Sequence, residues 1–508
     1  MKQLEAVIEI GSTGIRMLVA EVADGGWEVI DHAELPAALG RDVFNSGSVS
    51  RETLLQCLHI LRRFKEELAG WAITPEHVQV IATSAIRAAK NRDAVLDRIQ
   101  VKTGFHATVI DGIEENRLMY LAVTDCLKKA DAWPAHKDSI ILEVGGGSTE
   151  IMLIEKGKMA GAHSLRLGTV IIAQQLKASM SSQHDAKRFL EEFIRNTGGS
   201  LSTEINLHNI EIFIAVGTEA CLAAAHAGTP VSPYLSVIKR DVFDEFVDRI
   251  QEYSIEECAA RFKIPYYDAQ SLSTNLLAYR IFMKLTGTKK ILVPQTSLRE
   301  GLIITRCSIP NETLMQEFRS QIVASALALA RKYRFDEQHA EHVCTLSLQL
   351  FDALKQELGL DENTRTLLHV SAILHDVGMF IRGQDHQVHS AYIIRNSDIF
   401  GLSRDEMNII AQIAYYHRGE QQPQDDETFL HSPRQDRITI LKLAAILRVS
   451  DALDRGHRQK IQDFSLELTE NTLFIHIAGR NNTQLEKLAI TEKSAMFESV
   501  FGYKVVLV

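Results

Sequence analysis

Two short segments of the chain place acidic residues beside glycine-rich turns. Residues 8–14 read IEIGSTG and residues 142–150 read LEVGGGSTE, so that Glu9 and Glu143 precede the glycines and Glu150 follows the second set. The backbone amides and hydroxyls of such turns can bind a phosphoryl group, while carboxylates can hold Mg²⁺ or activate an attacking water. The pattern is suited to hydrolysis of a phosphate anhydride.

Two further glutamates open a predicted helix. Glu114 and Glu115 follow Asp111-Gly112 and therefore fall in the first turn of that helix. Acidic residues there commonly stabilise a helix through its dipole, and a glycine-rich turn is commonly only a flexible connection. The acids and turns nevertheless occur together in an order that suits phosphoryl transfer to water, which favours a catalytic set over these ordinary explanations.

Strand, glycine turn and strand recur at two places in the sequence. Apolar, β-branched residues flank the turns at residues 6–22 and 139–154, and helical and strand patterns alternate after each. This weak internal duplication predicts two α/β halves whose glycine turns face each other and present backbone N–H groups to one anion.

The predicted secondary structure changes from mixed α/β to mainly helical in the rest of the chain. The second α/β half runs to about Ile304, and Pro310 marks a boundary. From residue 313 to about 456 the apolar spacing predicts helices almost throughout, and alternation at residues 464–468 and 472–477 predicts a short β-rich tail.

Composition narrows the class of protein. The 508 residues, 45% of them hydrophobic, suffice for about three or four domains. A net charge of −10 argues against a nucleic-acid partner, and no apolar run reaches the roughly 18 residues of a membrane span, so we expect no membrane partner. Six scattered cysteines without a C-x-x-C pair are typical of a reducing compartment, and we expect a cytoplasmic protein.

Beyond these patterns, the order and spacing of several segments resembles the exopolyphosphatase / guanosine-pentaphosphate phosphohydrolase (Ppx/GppA) family, which belongs to the larger fold of actin, heat-shock chaperones and sugar kinases. The resemblance covers most of the chain. It rests on IEIGSTGIR, ATSAIRAAKN, GIEENRLMYLAV, LEVGGGSTEI, SLRLGTV and SLREGLI, and in the helical part on ILHDVG, HSAYIIRNSD, YYHRG and SPRQDRITILKLAAILRVSDALDR.

The resemblance implies a fold and a division into domains. The fold would be an α/β actin-like (RNase H-like) duplicated nucleotide-binding fold, followed by an all-α HD-type domain and a small α+β C-terminal tail. The implied domains are actin-like subdomains at residues 1–130 and 131–305, the HD-type domain at 306–458 and the C-terminal α+β domain at 459–508.

The resemblance also implies roles for individual residues. Glu115 matches a catalytic base that activates water, Glu143 and Glu150 match catalytic carboxylates that handle Mg²⁺ and water, and Glu9 matches the metal-binding carboxylate of the first turn. Arg87 matches an arginine that faces the phosphate chain, where a guanidinium can contact an anion through two N–H groups. The residues that match the phosphate-binding turns are Gly11, Ser12, Thr13, Gly145, Gly146, Gly147, Ser148 and Thr149.

The sequence departs from the family pattern in these loops. Glu9 and Glu143 stand where the family has aspartate, which keeps the charge and moves it outward by about one methylene, more than a catalytic geometry usually tolerates. A third loop, usually Gly-x-Ser-Gly-Thr, reads GTEAC at residues 217–221, so that Glu219 is expected to repel a phosphate chain nearby.

The helical part contains histidines and aspartates in an order that resembles the ligand set of HD-type metal phosphohydrolases. Imidazoles and carboxylates on neighbouring helices can hold one or two divalent ions, here Mn, Fe or Mg, although a lone histidine on an apolar helix is commonly a core residue. The matching residues are His342, His375, Asp376, His389, His417 and Asp451.

Three hypotheses for function follow. The leading one is an exopolyphosphatase-like phosphoanhydride hydrolase that uses Mg²⁺ to release terminal phosphate from inorganic polyphosphate or guanosine pentaphosphate, and the family suggests a homodimer. The second moves hydrolysis to a metal site in the HD-type domain and makes the actin-like half a sensor of nucleotide or polyphosphate. The third is a binding protein without catalysis, whose closing cleft signals phosphate status to a partner.

Overall fold

The chain forms two compact units, Met1–Phe318 and Arg319–Val508. The computed structural model describes residues 3–23, 26–165, 167–172, 188, 191–196, 206–306, 312–418, 423, 426–477 and 483–508. Among these residues, every helix is too short or too polar to cross a membrane. The finer division into four domains stays a prediction, and the predicted boundary at Pro310 lies outside the described residues.

The first half of unit 1 is an α/β layer around a five-stranded sheet. Its elements are β1 (Gln3–Ile10), β2 (Gly14–Ala23), β3 (Gly26–Pro36), α1 (Leu39–Ser46), α2 (Arg51–Gly70), a 3-10 turn (Pro75–His77), β4 (Val78–Ala82), α3 (Ser84–Ala88), α4 (Arg92–Thr103), β5 (Ala107–Val109) and α5 (Gly112–Lys129). The strand order is β3-β2-β1-β4-β5, with β1 antiparallel to β2 and parallel to β4.

Strand β1 is apolar on both faces because each face packs on a core. Ile8 lies in a cluster with Leu61 and Phe64 of α2, whereas its neighbour Val7 packs with Leu118 of α5. A strand buried in this way reads as a continuous apolar run, which is why the sequence reveals it. Strand β3 has mostly exposed residues and no such run, and the sequence-based prediction does not include it.

The second half of unit 1 is built on a seven-stranded sheet. Its elements are β6 (Ser139–Val144), β7 (Thr149–Glu155), β8 (Lys158–Leu165), a 3-10 turn (Leu207–Asn209), β9 (Ile212–Val216), α6 (Thr218–Ala227), β10 (Thr229–Ser232), β11 (Leu235–Lys239), α7 (Arg240–Glu252), α8 (Ile255–Phe262), α9 (Tyr266–Lys284), β12 (Lys290–Pro294) and α10 (Leu298–Arg306). The strand order is β10-β11-β12-β9-β6-β7-β8.

The predicted duplication is present in the backbone. The hairpins β1–β2 and β6–β7 are both antiparallel, and the first strand of each pairs in parallel with a later strand, β4 or β9. Their turns close with the same hydrogen bond, from Gly11 N to Gly14 O at 2.9 Å and from Gly145 N to Ser148 O at 2.8 Å. The two halves therefore present equivalent turns at equivalent strand ends.

Unit 2 is mainly helical and ends in a small sheet. The elements from residue 312 onward are α11 (Glu312–Lys332), α12 (Glu337–Leu358), α13 (Glu362–Leu374), a 3-10 turn (Val377–Phe380), α14 (His386–Arg395), α15 (Arg404–Tyr416), α16 (Glu427–His431), α17 (Arg434–Leu453), β13 (Phe464–Leu468), β14 (Thr472–Ile477), α18 (Gln484–Lys493), α19 (Ala495–Phe501) and β15 (Lys504–Leu507). The predicted β-rich tail is confirmed: β13 and β14 form an antiparallel pair, to which β15 adds in parallel.

Close packing of α10 on α5 depends on Gly301. A Cβ atom at this position would overlap the carbonyl oxygen of Leu118, which is part of the backbone and cannot rotate away. We therefore expect Gly301→Ala to lower the free energy of unfolding by about 1–3 kcal/mol, the usual cost of overpacking, measured by urea denaturation. Gly70→Ala is the control, because no atom of the residues that the structure describes lies within 4 Å of its Cβ position; an equal loss in both variants would contradict this explanation.

Candidate functional site

The two glycine turns of unit 1 meet. A Cβ atom at Gly146 would lie 3.1 Å from the Cβ of Ser12 and 3.1 Å from the Cγ2 of Thr13, and one at Gly147 would lie 2.5 Å from the Oγ of Ser84. The hydroxyls of Ser12 and Ser84 are hydrogen-bonded at 2.9 Å. The second turn thus needs glycine because the first turn and the start of α3 occupy the space of a side chain.

Strand register places acidic residues at equivalent positions beside the turns. In the second hairpin Glu143 pairs directly across the ladder with Glu150, and in the first hairpin Glu9 pairs with Arg16. Directly opposite residues in an antiparallel pair lie about 4.5–5.5 Å apart at Cβ. One hairpin therefore carries two acids, whereas the other carries an acid and a base.

Glu115 joins these acids from the first turn of α5. The helix begins at Asp111, whose carboxylate accepts a hydrogen bond from Glu114 N at 2.8 Å, and this cap directs Glu115 inward, where it is only 7% exposed. Arg87 forms an ion pair with Glu115 and donates a 2.7 Å hydrogen bond to the carbonyl of Ile110. Burial raises the pKa of Glu115, and the Arg87 guanidinium opposes that rise.

Glu150 is held by neutral hydrogen-bond donors. Its carboxylate accepts from the Ser164 hydroxyl at 2.8 Å and from the Asn116 amide at 3.2 Å. Burial raises the pKa of Glu150 well above its usual range, and the negative charge of Glu115 raises it further, while hydrogen bonds from the Ser164 and Ser148 hydroxyls oppose the rise. No cation among the described residues forms an ion pair with it.

Glu143 is the acid least satisfied by its surroundings. Burial raises its pKa to about 8, and the charges of Glu9 and Glu115 add to the rise. Among the described residues, none gives the Glu143 carboxylate a hydrogen bond. A half-buried carboxylate without a hydrogen-bond donor among the described residues, directly opposite Glu150 in the ladder, fits the coordination of a hard cation such as Mg²⁺.

Glu9 differs from the other acids because two arginines neutralise it. Its oxygens lie 3.7 Å from Arg16 Nη1 and 3.2 Å from Arg299 Nη1. The sequence-based prediction names Glu9 as a metal ligand and omits both arginines, although they lie in the segments IEIGSTGIR and SLREGLI. In this structure Glu9 belongs to an ion-pair network, and its role as a metal ligand stays a prediction.

The third loop approaches the same place from β9. A Cβ atom at Gly217 would lie 3.8 Å from the Cγ of Glu143, and the backbone there has a φ of 116° that favours glycine. Glu219 follows on α6, and burial raises its pKa to about 7 while nearby Arg16 lowers it. Its carboxylate therefore lies on the Arg16 side of the cluster, with Ser271 Oγ at 3.5 Å.

Some predicted site residues have other local partners. The Thr149 hydroxyl is fully buried and donates to the Leu167 carbonyl, and the Thr13 hydroxyl accepts from Arg16 at 3.1 Å. Glu114 forms a 2.5 Å ion pair with Arg117 on its own helix. Among the described residues, no acceptor binds the backbone N–H groups of Gly146 and Gly147, whereas the Ser12 hydroxyl is already hydrogen-bonded to that of Ser84.

Unit 2 contains a separate cluster of histidines around Asp376. The Nε2 atoms of His386, His417 and His375 lie 2.9, 3.4 and 3.6 Å from Asp376 Oδ1, and His339 Nε2 lies 3.9 Å from Oδ2. Two sets of three have ligand atoms close enough for one metal ion: His339 with His375 and Asp376, and Asp376 with His386 and His417.

Two of the predicted histidines lie outside the two candidate ligand sets. His342 and His389 are absent from both ligand sets, and His339 and His386, each three residues earlier, take their places. A helix brings residues three apart to nearly the same side, so the sequence does not separate the two choices on each helix. His342 is buried near His339, whereas the backbone of Gly378 packs against the Cβ of His389.

The ring orientations suit metal binding. Nδ1 of His375, His386 and His417 contacts the carbonyl oxygens of Ala372, Gly383 and Ala414 at 2.8, 2.9 and 2.6 Å. Such contacts place the proton on Nδ1 and leave the Nε2 lone pair for a metal. Nε2 of His375 and of His339 is buried and has no hydrogen-bond partner within the described parts of the chain, an arrangement that a bound cation would satisfy.

Asp451 completes this region. Although burial opposes it, Lys493 and the neighbouring histidines hold the pKa of Asp451 well below its usual range. Its Oδ1 lies 3.5 Å from His339 Nε2, and its Oδ2 forms an ion pair with Lys493, which the sequence-based prediction does not include. Asp454, also missed, contacts His339 Nδ1 at 2.8 Å.

The raised pKa of Glu143 predicts a pH dependence of stability. The carboxyl ionises near 4.5 in an ordinary setting and near 8 in the fold, so its contribution is present below about 4.5 and is lost as pH rises through about 8. In chelator, we expect Glu143→Gln to have a smaller fall in melting temperature between pH 5 and 9 than the unaltered chain. Glu155→Gln, an exposed change in the same hairpin, is the control; parallel curves for all three would contradict the assignment.

Comparisons with known proteins agree over most of the chain. The model of the Ppx/GppA phosphatase family matches residues 18–308, and that of Ppx/GppA phosphatase, domain III, matches residues 323–494. A guanosine-5'-triphosphate,3'-diphosphate pyrophosphatase of Photobacterium profundum is 24% identical over 490 residues, which cover 93% of this chain and 91% of that protein.

Solved structures show the fold. An exopolyphosphatase from Cytophaga hutchinsonii is similar with a TM-score of 0.54 and 20% identity, over 60% of this chain and 98% of that one. The Ppx/GppA family member from Aquifex aeolicus has a TM-score of 0.50 and 22% identity, over 61% of this chain and 99% of that one. The predicted actin-like fold is confirmed at this level, and the family model covers more than half of the sequence. The chain therefore belongs to the Ppx/GppA phosphatase family of hydrolases.

Proposed function

We propose that the chain is an exopolyphosphatase-like hydrolase, which releases terminal phosphate from inorganic polyphosphate or guanosine pentaphosphate at the hairpin site of unit 1. The observation that carries this proposal is the convergence of Glu115, Glu143 and Glu150 on two touching glycine turns. The charge of Glu115 raises the pKa of both other acids, and that of Glu143 raises the pKa of Glu150, which places the three in one electrostatic neighbourhood. Perturbed carboxyls gathered in this way are typical of catalytic sites.

The residues of this site can each take a defined role in hydrolysis of the terminal phosphate. Backbone amides of residues 146–147 bind the oxygens of the terminal phosphoryl group, where charge develops during transfer. Arg87 exchanges its ion pair with Glu115 for the phosphate chain, and the freed Glu115 carboxylate accepts the proton of the attacking water. Asp111 and the start of α5 hold Glu115 in place for this step.

Mg²⁺ fits the acids that remain. Glu143 and Glu150 would hold it, since Glu9 is neutralised by arginines. When bound, the ion supplies charge neutralisation to the phosphoryl oxygens. Glu143, protonated near neutral pH without a cation, gives up its proton when it becomes a ligand.

The two substrates present the same terminal group, and the names of the relatives support both. A pyrophosphatase of guanosine-5'-triphosphate,3'-diphosphate and an exopolyphosphatase are similar to this chain. We further propose the four-domain division, a cytoplasmic homodimer, and an HD-type character for the helical domain. The net charge of −10 argues against a nucleic acid as the substrate.

The adjacent glutamates of α5 offer a direct test. Glu115→Gln removes the proposed base while preserving its shape, and we expect phosphate release from polyphosphate to fall by about 10²–10⁴. Glu114→Gln is the matched control, because Glu114 is paired with Arg117, and it should retain activity within about threefold. Phosphate release is measured with Mg²⁺ across polyphosphate lengths and guanosine pentaphosphate; unchanged release by Glu115→Gln would remove Glu115 from its role.

A second candidate function rests on the histidine cluster of unit 2. We propose that it is a divalent-metal centre, for Mn, Fe or Mg, at which a phosphate ester or anhydride is hydrolysed while the actin-like half senses nucleotide or polyphosphate. The buried, unpartnered Nε2 atoms of His339 and His375 favour it. The chain supplies the orientation: the carbonyls that anchor each Nδ1 keep every Nε2 turned toward Asp376.

Asp376 tests this second candidate, because it belongs to both ligand sets. We expect Asp376→Ala to lower the bound metal, measured by elemental analysis after dialysis, to below about a tenth of the unaltered level. Asp352→Ala, which breaks an exposed ion pair with Arg365, is the control. Full phosphate release by a metal-free Asp376→Ala protein would exclude hydrolysis at this centre and leave the hairpin site of unit 1 as the catalytic one.

A further inference from the structure

Asp451 lies beside the ligand atoms of the histidine cluster but belongs to neither candidate ligand set. Its Oδ1 lies 3.5 Å from His339 Nε2, inside the region of the ligand atoms. Both sets of residues that could hold a metal include Asp376, yet among the described residues neither set includes Asp451. Proximity to the histidines therefore does not by itself make Asp451 available as a metal ligand.

Lys493 supplies the explanation. It is the last residue of α18, it is 8% exposed, and its ammonium forms an ion pair with Asp451 Oδ2. Arg448, on the same helix as Asp451, donates to the backbone carbonyl of Lys493 at 3.3 Å and thereby helps to hold the end of α18 against α17. The lysine is thus fixed in the cluster by the backbone around it.

We infer that Lys493 is a built-in cation that competes with a divalent ion for Asp451. In the metal-free protein it neutralises the buried carboxylate, and an ion bound between His339, His375 and Asp376 gains Asp451 as a ligand only at the expense of this ion pair. The inference rests on the metal centre of the second candidate function. It adds that helix α18, which ends at Lys493, sets the affinity of that centre for a metal ion.

The positive charge of Lys493 has opposite effects on the stability of the metal-free protein and on its affinity for a metal ion. Asp451 buried without a cation is unfavourable, so the metal-free protein needs Lys493. A divalent ion that took Asp451 as a ligand would share this carboxylate with the ammonium, and the two positive charges would repel each other in a poorly solvated site. Replacing Lys493 by a neutral residue therefore destabilises the metal-free protein and strengthens metal binding.

The test compares Lys493→Met with the unaltered full-length chain. Mn²⁺ alone is the probe, and its dissociation constant is measured by titration calorimetry after removal of metals with chelator. We expect Lys493→Met to bind Mn²⁺ at least about tenfold more tightly, a change of about 1.4 kcal/mol. We also expect a lower melting temperature in chelator and a larger rise on addition of Mn²⁺ than in the unaltered chain.

Matched variants separate charge from other effects. Lys487→Met removes an exposed lysine from the same helix and should leave Mn²⁺ binding unchanged, and Lys493→Arg keeps the charge and should bind Mn²⁺ as the unaltered chain does. Lys493→Gln, which can still donate a hydrogen bond to Asp451, replaces the methionine variant if that one does not fold.

Each outcome decides the question. The inference is supported if Mn²⁺ binds more tightly to the neutral Lys493 variants and not to the control variants. This holds also if the unaltered chain binds Mn²⁺ too weakly for its dissociation constant to be measured. Equal binding overturns it, and weaker binding overturns it by showing that Lys493 positions Asp451 as a ligand. If neither the unaltered chain nor the neutral variants bind Mn²⁺, both this inference and the proposed metal centre are overturned. If Mn²⁺ binds and Asp376→Ala abolishes the binding, the metal centre is supported even when Lys493 has no effect.

Discussion

The structure depends on burying carboxylates close to one another, where each needs a proton, a hydrogen bond or a cation. In unit 1 the site glutamates Glu115, Glu143 and Glu150 have one ion-pair partner among the described residues, Arg87, and the pKa of all three is raised. Unit 2 meets the same demand with histidines and one lysine, and its aspartates stay ionised. The surroundings therefore shift the pKa of the two sets of acids in opposite directions, upward for Glu115, Glu143 and Glu150 and downward for Asp376 and Asp451.

The backbone is what holds these charges in place. In unit 1 strand register fixes which side chains are opposite, and the paired turns close with matching hydrogen bonds. In unit 2 the helices end at the cluster, so that carbonyls of their last turns anchor the histidine rings. Rigid elements hold reacting groups more precisely than loops do, and both sites are built at the ends of such elements.

Local patterns in the sequence predict much of this arrangement. Alternation and glycine turns reveal both hairpins, and the acids beside them lie within a few residues of the turns. The pairing of Glu9 with Arg299 joins residues 290 positions apart, which no local pattern encodes. The choice of histidine is not encoded locally either: His339 and His342 share a helix side, and tertiary packing decides which ring reaches Asp376.

The exchange of an acid for Arg16 in one of the two matching hairpins has a consequence for symmetry. Duplicated halves with identical charges would present a ligand with two equal ends, related by a pseudo-twofold axis. Here one hairpin has Glu143 opposite Glu150, and the other has Glu9 opposite Arg16. The electrostatic potential therefore differs between the two turns. The two opposite orientations of a linear anion between them would then differ in energy.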